Sequence, residues 1–119
     1  MIKFSKFSKL DKTWLIDIDG TILVHNSHLK SGNKILENSK IFLLSIPETD
    51  KIILLTGRPK KYKSETIKYL RKHKIKFDNI LFDLNIGERI LINDKKPDGL
   101  KTAYAVNVRR DKGILFKNK

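Results

Sequence analysis

The run Trp14-Leu15-Ile16-Asp17-Ile18-Asp19-Gly20-Thr21 constrains this chain most. An apolar stretch carrying Trp, Leu and Ile reads as a buried strand that stops near Gly20. Asp17 and Asp19 stand two apart where it ends. Side chains alternate along a strand, so a regular strand sends both carboxylates to one side. Two like charges that close repel unless a cation lies between them. A hard divalent ion with oxygen ligands, most simply Mg2+, relieves that repulsion. Gly20 lets the chain turn sharply, and Thr21 offers a hydroxyl to fix the turn.

Two further apolar strands are read as ending in polar chemistry. Lys51 to Leu55 runs into Thr56-Gly57-Arg58, and Arg89-Ile-Leu-Ile-Asn93 runs into Asp94. Before and after the Lys51–Leu55 strand, the spacing predicts helices over 32–46, ended by Pro47, and over roughly 60–74, begun near Pro59. A third strand is expected over 79–82, a fifth over 103–108 and a final edge strand at Ile114–Phe116. Residues 21–31 read as a loop or short hairpin, with His25 and Asn26 beside the acidic turn. Apolar strands alternating with amphipathic helices imply an α/β fold, Rossmann-like and three-layered, around a mostly parallel sheet. In such sheets ligands bind beyond the carboxyl ends of the strands.

Composition narrows the class. The chain has 119 residues, which suits one domain with a single core over 1–119. It has no cysteine, so it builds neither disulfides nor thiolate sites. No apolar run reaches the roughly 18 residues of a membrane span. The N-terminus alternates apolar and basic residues, unlike a signal peptide, so a cytoplasmic location is expected. The formal net charge of +13 attracts anions. Yet 21 lysines outnumber five arginines and spread over nearly every segment, which argues against specific nucleic-acid reading.

Asp17-x-Asp19-Gly20-Thr21 after an apolar strand resembles the first motif of the haloacid dehalogenase (HAD) superfamily of phosphotransferases. Leu54-Leu55-Thr56-Gly57-Arg58 resembles its second motif, and Ile92-Asn93-Asp94-Lys-Lys-Pro-Asp98 its fourth. Asn93 departs from the usual small residue there. The resemblance covers about residues 13 to 108 and implies a fold without a cap domain, since neither insertion point has room for one. It implies Asp17 as nucleophile and Asp19 as acid and base. It implies Mg2+ held by the Asp17 and Asp94 side chains and by the Asp19 backbone carbonyl, with Asp98 orienting a metal-bound water. Phosphate would be held by Thr56, Gly57 and Arg58, with His25 and Asn26 near the substrate. The family's third motif supplies a lysine. Residues 77 to 93 hold none, only Arg89, and Lys96 is the favoured candidate.

The expected activity is therefore Mg2+-dependent hydrolysis of a small phosphorylated metabolite, such as a sugar or polyol phosphate of surface-polysaccharide biosynthesis (a capsule or lipopolysaccharide precursor), through an aspartyl-phosphate. A second copy of the chain would cover the open site; no membrane and no specific nucleic acid is expected as a partner. The alternatives are a polynucleotide end phosphatase and an inactive HAD-fold binding module.

Overall fold

A computed structural model describes residues 1–118. In chain order its regular elements are β1 (Ile2–Lys3), β2 (Thr13–Asp17), α1 (Glu37–Ser45), β3 (Lys51–Leu55), α2 (Lys63–Lys72), β4 (Asn79–Leu81) and β5 (Phe116–Lys117). Short 3-10 turns fill Phe4–Lys6, Ser27–Leu29 and Lys60–Tyr62.

The central sheet has the order β2-β3-β4 and is parallel throughout. Trp14 pairs with Ile52 and Asp17 with Leu55, so the two strands end together. A parallel pair needs a crossover, and α1 and α2 supply the two. Right-handed crossovers between successive neighbours lay both helices on one face. The burial pattern agrees: Ile16, Ile52 and Leu54 are buried with Phe42 and Leu43 of α1 and Leu70 of α2. The opposite face is partly open, with Leu15 46% and Leu81 42% exposed. The architecture is a small Rossmann-like α/β fold, as the alternation of strands and helices implies, but with helices on one face only and not the three layers expected, because just two crossovers link the three strands.

An aromatic cluster closes the core at the start of β2. Trp14 meets Phe42 edge-on at 5.5 Å, and Phe4 and Phe7 pack on Trp14 at 5.8 Å. Such pairs each contribute about 0.5–1.5 kcal/mol beyond their buried area. Asp50, itself buried, accepts from the Trp14 indole at 2.9 Å and the Lys12 amide at 3.0 Å. That joins the foot of β2 to the foot of β3. A second, two-stranded parallel sheet pairs β1 with β5, Ile2 beside Phe116.

Three expectations from the sequence fail. The helix expected over 32–46 starts only at Glu37, because Leu23 bridges Ile35 and the Leu36 amide donates to Ile22. Those pairings hold the chain extended and make 22–36 a short hairpin. The strands expected over 89–94 and 103–108 do not form. Residues 85–95 make no backbone–backbone hydrogen bond among the described residues. Ile90 and Ile92 are 82% and 91% exposed. A continuous apolar run suits a strand covered on both faces, and the second face offers no such cover here. The final strand shifts slightly, to Phe116–Lys117.

Gly113 fixes the approach to β5. Its φ is +77°, and a Cβ there would stand 1.8 Å from the Asn38 side-chain oxygen. That side chain cannot give way freely: its amide donates to the Lys112 carbonyl and its oxygen accepts from the Ser39 amide. Gly113→Ala is expected to destabilise the protein by about 1–3 kcal/mol, the usual cost of a left-handed non-glycine residue. A denaturant midpoint unchanged from wild type would contradict this reading.

Candidate active site

β2 and β3 deliver their chemistry to one place because they end in register. Asp17 is the last residue of β2, and Thr56 follows the last of β3. Past Asp17 the Ile18 amide still bonds to the Leu55 carbonyl at 3.0 Å, which carries Asp19 alongside Thr56. Gly20, at φ +83°, then reverses the chain. The amides of Thr21, Ile22 and Leu23 all return to the Ile18 carbonyl, and the Gly20 amide donates to Leu23.

The two carboxylates have different surroundings. Asp19 is held by both oxygens. Arg58 Nε donates to Oδ1 at 2.8 Å, and the Thr56 hydroxyl donates to Oδ2 at 2.7 Å. Arg58 is 3% exposed and also donates to the Asn33 side chain at 2.8 Å and the Thr66 hydroxyl at 2.9 Å. Asp17 is more open, its side chain 34% exposed. It accepts from the Thr21 hydroxyl at 3.0 Å and from Arg89 Nη1 at 2.6 Å. Each acid thus has its own arginine, an alternative to a shared ion for relieving their repulsion.

The structure brings together Asp17, Asp19, Thr56, Gly57 and Arg58. His25 and Asn26 line the same cleft. Thr56 and Arg58, expected on the phosphate, are turned to Asp19 instead: Thr56 is fully buried, and Arg58 keeps only Nη2 without a partner. Lys96 borders the cleft from an exposed stretch and touches neither acid. Asp94 is exposed and does not line the cleft, and Asp98 accepts only from the Leu100 amide. The expected strand over 89–94 would have carried Asp94 in, and it is absent.

Arg89 and His28 were not among the expected site residues. Arg89 is visible in the sequence as the sole cation between 77 and 93, but Lys96 is the candidate favoured over it there. Nothing in the sequence singles out His28, which packs edge-on against Tyr62 at 4.7 Å across the cleft.

The donor set does not fit a magnesium ion. Asp17 Oδ1 is taken by Arg89, both Asp19 oxygens by Arg58 and Thr56, and Asp94 lies elsewhere. Among the described residues no three His, Cys, Asp or Glu side chains form a metal-binding group. No described helix is long and apolar enough to cross a membrane.

Burial, and next the Arg58 charge, push the His28 imidazole below its ordinary value of 6.5, against the pull of Asp19 and Glu65. Folding therefore favours the neutral ring. The stability this brings is present above the unfolded value near 6.5 and is lost as pH falls through the lowered folded value. An NMR titration is expected to place the His28 midpoint below 6.5. A midpoint above it would mean that the ring is better solvated than this geometry shows.

No family model matches the chain, and no curated protein matches it significantly. One solved structure resembles it: a chain of the Pnkp1/Rnl/Hen1 complex, with 25% identity and a TM-score of 0.53. The likeness covers 69% of this chain and 31% of that one.

Proposed function

We propose that the protein is a phosphomonoester hydrolase of the HAD type, with Asp17 as nucleophile and Asp19 as proton carrier. The observation that supports this most is the division of labour between the two acids. One is locked by a buried arginine and a buried hydroxyl; the other, beside it, faces the cleft. The likeness to a chain from a polynucleotide kinase/phosphatase complex favours phosphoryl transfer too.

In this reading an Asp17 oxygen attacks phosphorus. The bond from phosphorus to the leaving oxygen breaks, and Asp19 gives that oxygen a proton. Water then attacks the aspartyl-phosphate, Asp19 takes its proton, and inorganic phosphate leaves. Arg89, already on Asp17, neutralises charge as the dianion approaches. It fills the part that the resemblance gives to a lysine. Because the described residues do not fit magnesium, no step is drawn through it. Turnover that survives exhaustive chelation would leave charge neutralisation to the arginines. Turnover that is lost would require Asp94 to move in.

The resemblance favours a small phosphorylated metabolite, of the sugar or polyol phosphate kind, as substrate. Two observations favour the second reading, a polynucleotide end: the structural neighbour, and the cleft itself. The cleft is half-open and runs past the acids to Lys101 and Tyr104, rather than closing around one small molecule. Lys61 sits 5.2 Å from the Tyr62 ring and Lys101 4.8 Å from the Tyr104 ring, and all four residues line it. Basic and aromatic groups side by side suit stacked bases. Salt separates the two readings. A small ester is held at one phosphate, whereas 6–10 phosphate contacts lose roughly 10³–10⁵ in affinity between about 50 and 200 mM salt. The deciding measurement is kcat/KM at physiological salt for sugar phosphates against 3′- and 5′-phosphorylated oligonucleotides.

Asp17→Asn is expected to abolish hydrolysis of an aryl phosphate, and Asp19→Asn to slow it by about 10²- to 10⁴-fold. An Asp17→Asn enzyme at wild-type rate would remove the nucleophile from this scheme. If no variant, nor the wild type, turns over any phosphoester, the protein is a binding module on this fold.

Arg89→Ala is expected to lower kcat/KM by about 10²-fold, in line with the loss of one preorganised charge contact. Lys96→Ala should lower it much less. The reverse order would return the neutralising role to Lys96.

A further inference from the structure

The hydrolase scheme leaves one side-chain cluster unused. Residues 109–114 fold back over the Gly20 turn from the far end of the sequence. The Asp111 amide donates to the Gly20 carbonyl at 2.9 Å. Its carboxylate Oδ1 accepts from the His25 amide at 2.7 Å. One residue thus bridges both legs of the loop that leaves Asp19. Arg110 lies on the turn as well: its Cγ is 3.3 Å from where a Cβ on Gly20 would stand.

The anchorage of this segment is independent of the acids. Asn38 of α1 donates to the Lys112 carbonyl at 2.8 Å. The Ile114 amide donates to the Ser39 hydroxyl at 2.9 Å, and that hydroxyl donates on to the Thr21 carbonyl at 2.5 Å. Ile114 is itself buried in the core. Gly20 is therefore gripped by Asp111, and Thr21 is reached through Ser39, from a segment fixed to α1. Gly20 follows Asp19 directly, and Thr21 is the residue whose hydroxyl holds Asp17. Asp111 takes up φ +61°, a left-handed conformation that Asp and Asn tolerate best after Gly. The strain is accepted where the side chain reaches His25.

We infer that Asp111 is a positioning residue of the active site, holding the Gly20 turn and the His25 leg of the hairpin so that Asp19 meets the leaving oxygen. It touches neither acid and acts through the Gly20 carbonyl and the His25 amide. The inference rests on the hydrolase reading above. A displacement of about 1 Å in a catalytic group can cost about 10²-fold in rate. Losing the bridge therefore affects kcat more than KM. It also affects poor leaving groups more than good ones, because a phenolate with electron-withdrawing substituents needs little protonation from Asp19.

Two variants separate positioning from mere folding. Asp111→Gly keeps the positive φ without strain and removes the acceptor. Asp111→Asn keeps both the φ and an acceptor oxygen for the His25 amide. Asp111→Gly is expected to lower kcat about 10- to 100-fold on an alkyl phosphate, and clearly less on nitrophenyl phosphate, measured well below its melting temperature. Asp111→Asn should restore kcat to within about threefold of wild type. In parallel, the His25 amide should be protected from hydrogen exchange in wild type and Asp111→Asn and lose that protection in Asp111→Gly. Wild-type kcat in Asp111→Gly would overturn the proposal, as would an Asp111→Asn loss equal to that of Asp111→Gly. So would an equal loss on both leaving groups. A wild-type protein without turnover on any phosphoester overturns the hydrolase reading instead, and the positioning role with it.

Discussion

The site hangs on one buried cation. Arg58 carries its charge into the interior, where an unpaired guanidinium would cost several kcal/mol. Its partners come from three parts of the chain: Asp19 from the turn after β2, Asn33 from the return leg of the hairpin, and Thr66 from α2. Satisfying the arginine therefore fixes the mutual placement of all three. Thr56 completes the arrangement, because its hydroxyl accepts from the Arg58 amide at 3.0 Å while donating to Asp19. A small sheet with two helices has little core to spare, and this polar knot adds to the packing of Ile18, Ile22 and Leu23 at the strand ends.

The second arginine differs in kind. Arg89 is 38% exposed, stands on a stretch without backbone partners, and reaches Asp17 from outside. An exposed pair of this sort contributes about 1 kcal/mol or less and is screened by salt. It can open at little cost, whereas the Arg58 knot cannot. In the proposed hydrolase, the acid assigned to attack the substrate is thus the one with the exchangeable partner. The acid assigned to carry the proton is the one with the permanent partner.

How much of this was legible in the sequence varies by element. Strands β2 and β3 and the start of β4 were readable because their apolar runs are short and bounded by turn residues. The pairing of Asp17, Asp19 and Thr56 followed from strands ending in chemistry. The hairpin through Ile35 was not readable. Its apolar spacing matches a helix, and only the bridge to Leu23 decides the matter. Ile90-Leu91-Ile92 misled for a deeper reason. Periodicity reports what a segment would do if something covered it, and the described fold supplies no cover. The Arg58 knot was half visible: Thr-Gly-Arg after a strand marked the place, but Asn33 and Thr66 carry no signal. Asp111 carried none either, since an acid within a basic tail looks like an ordinary surface residue.

The pairing of β1 with β5 joins Ile2 to Phe116, nearly the full length of the described chain. Closing a loop of that length costs more chain entropy than closing the shorter loops of the central sheet. The segment that carries Asp111 lies just ahead of β5 and settles with it. The central sheet, with shorter loops to close, can assemble earlier. The strands that carry the acids can therefore pair without the segment that clamps their turn. In the proposed hydrolase, a chain lacking that last closure would hold both acids near one another with the turn still loose.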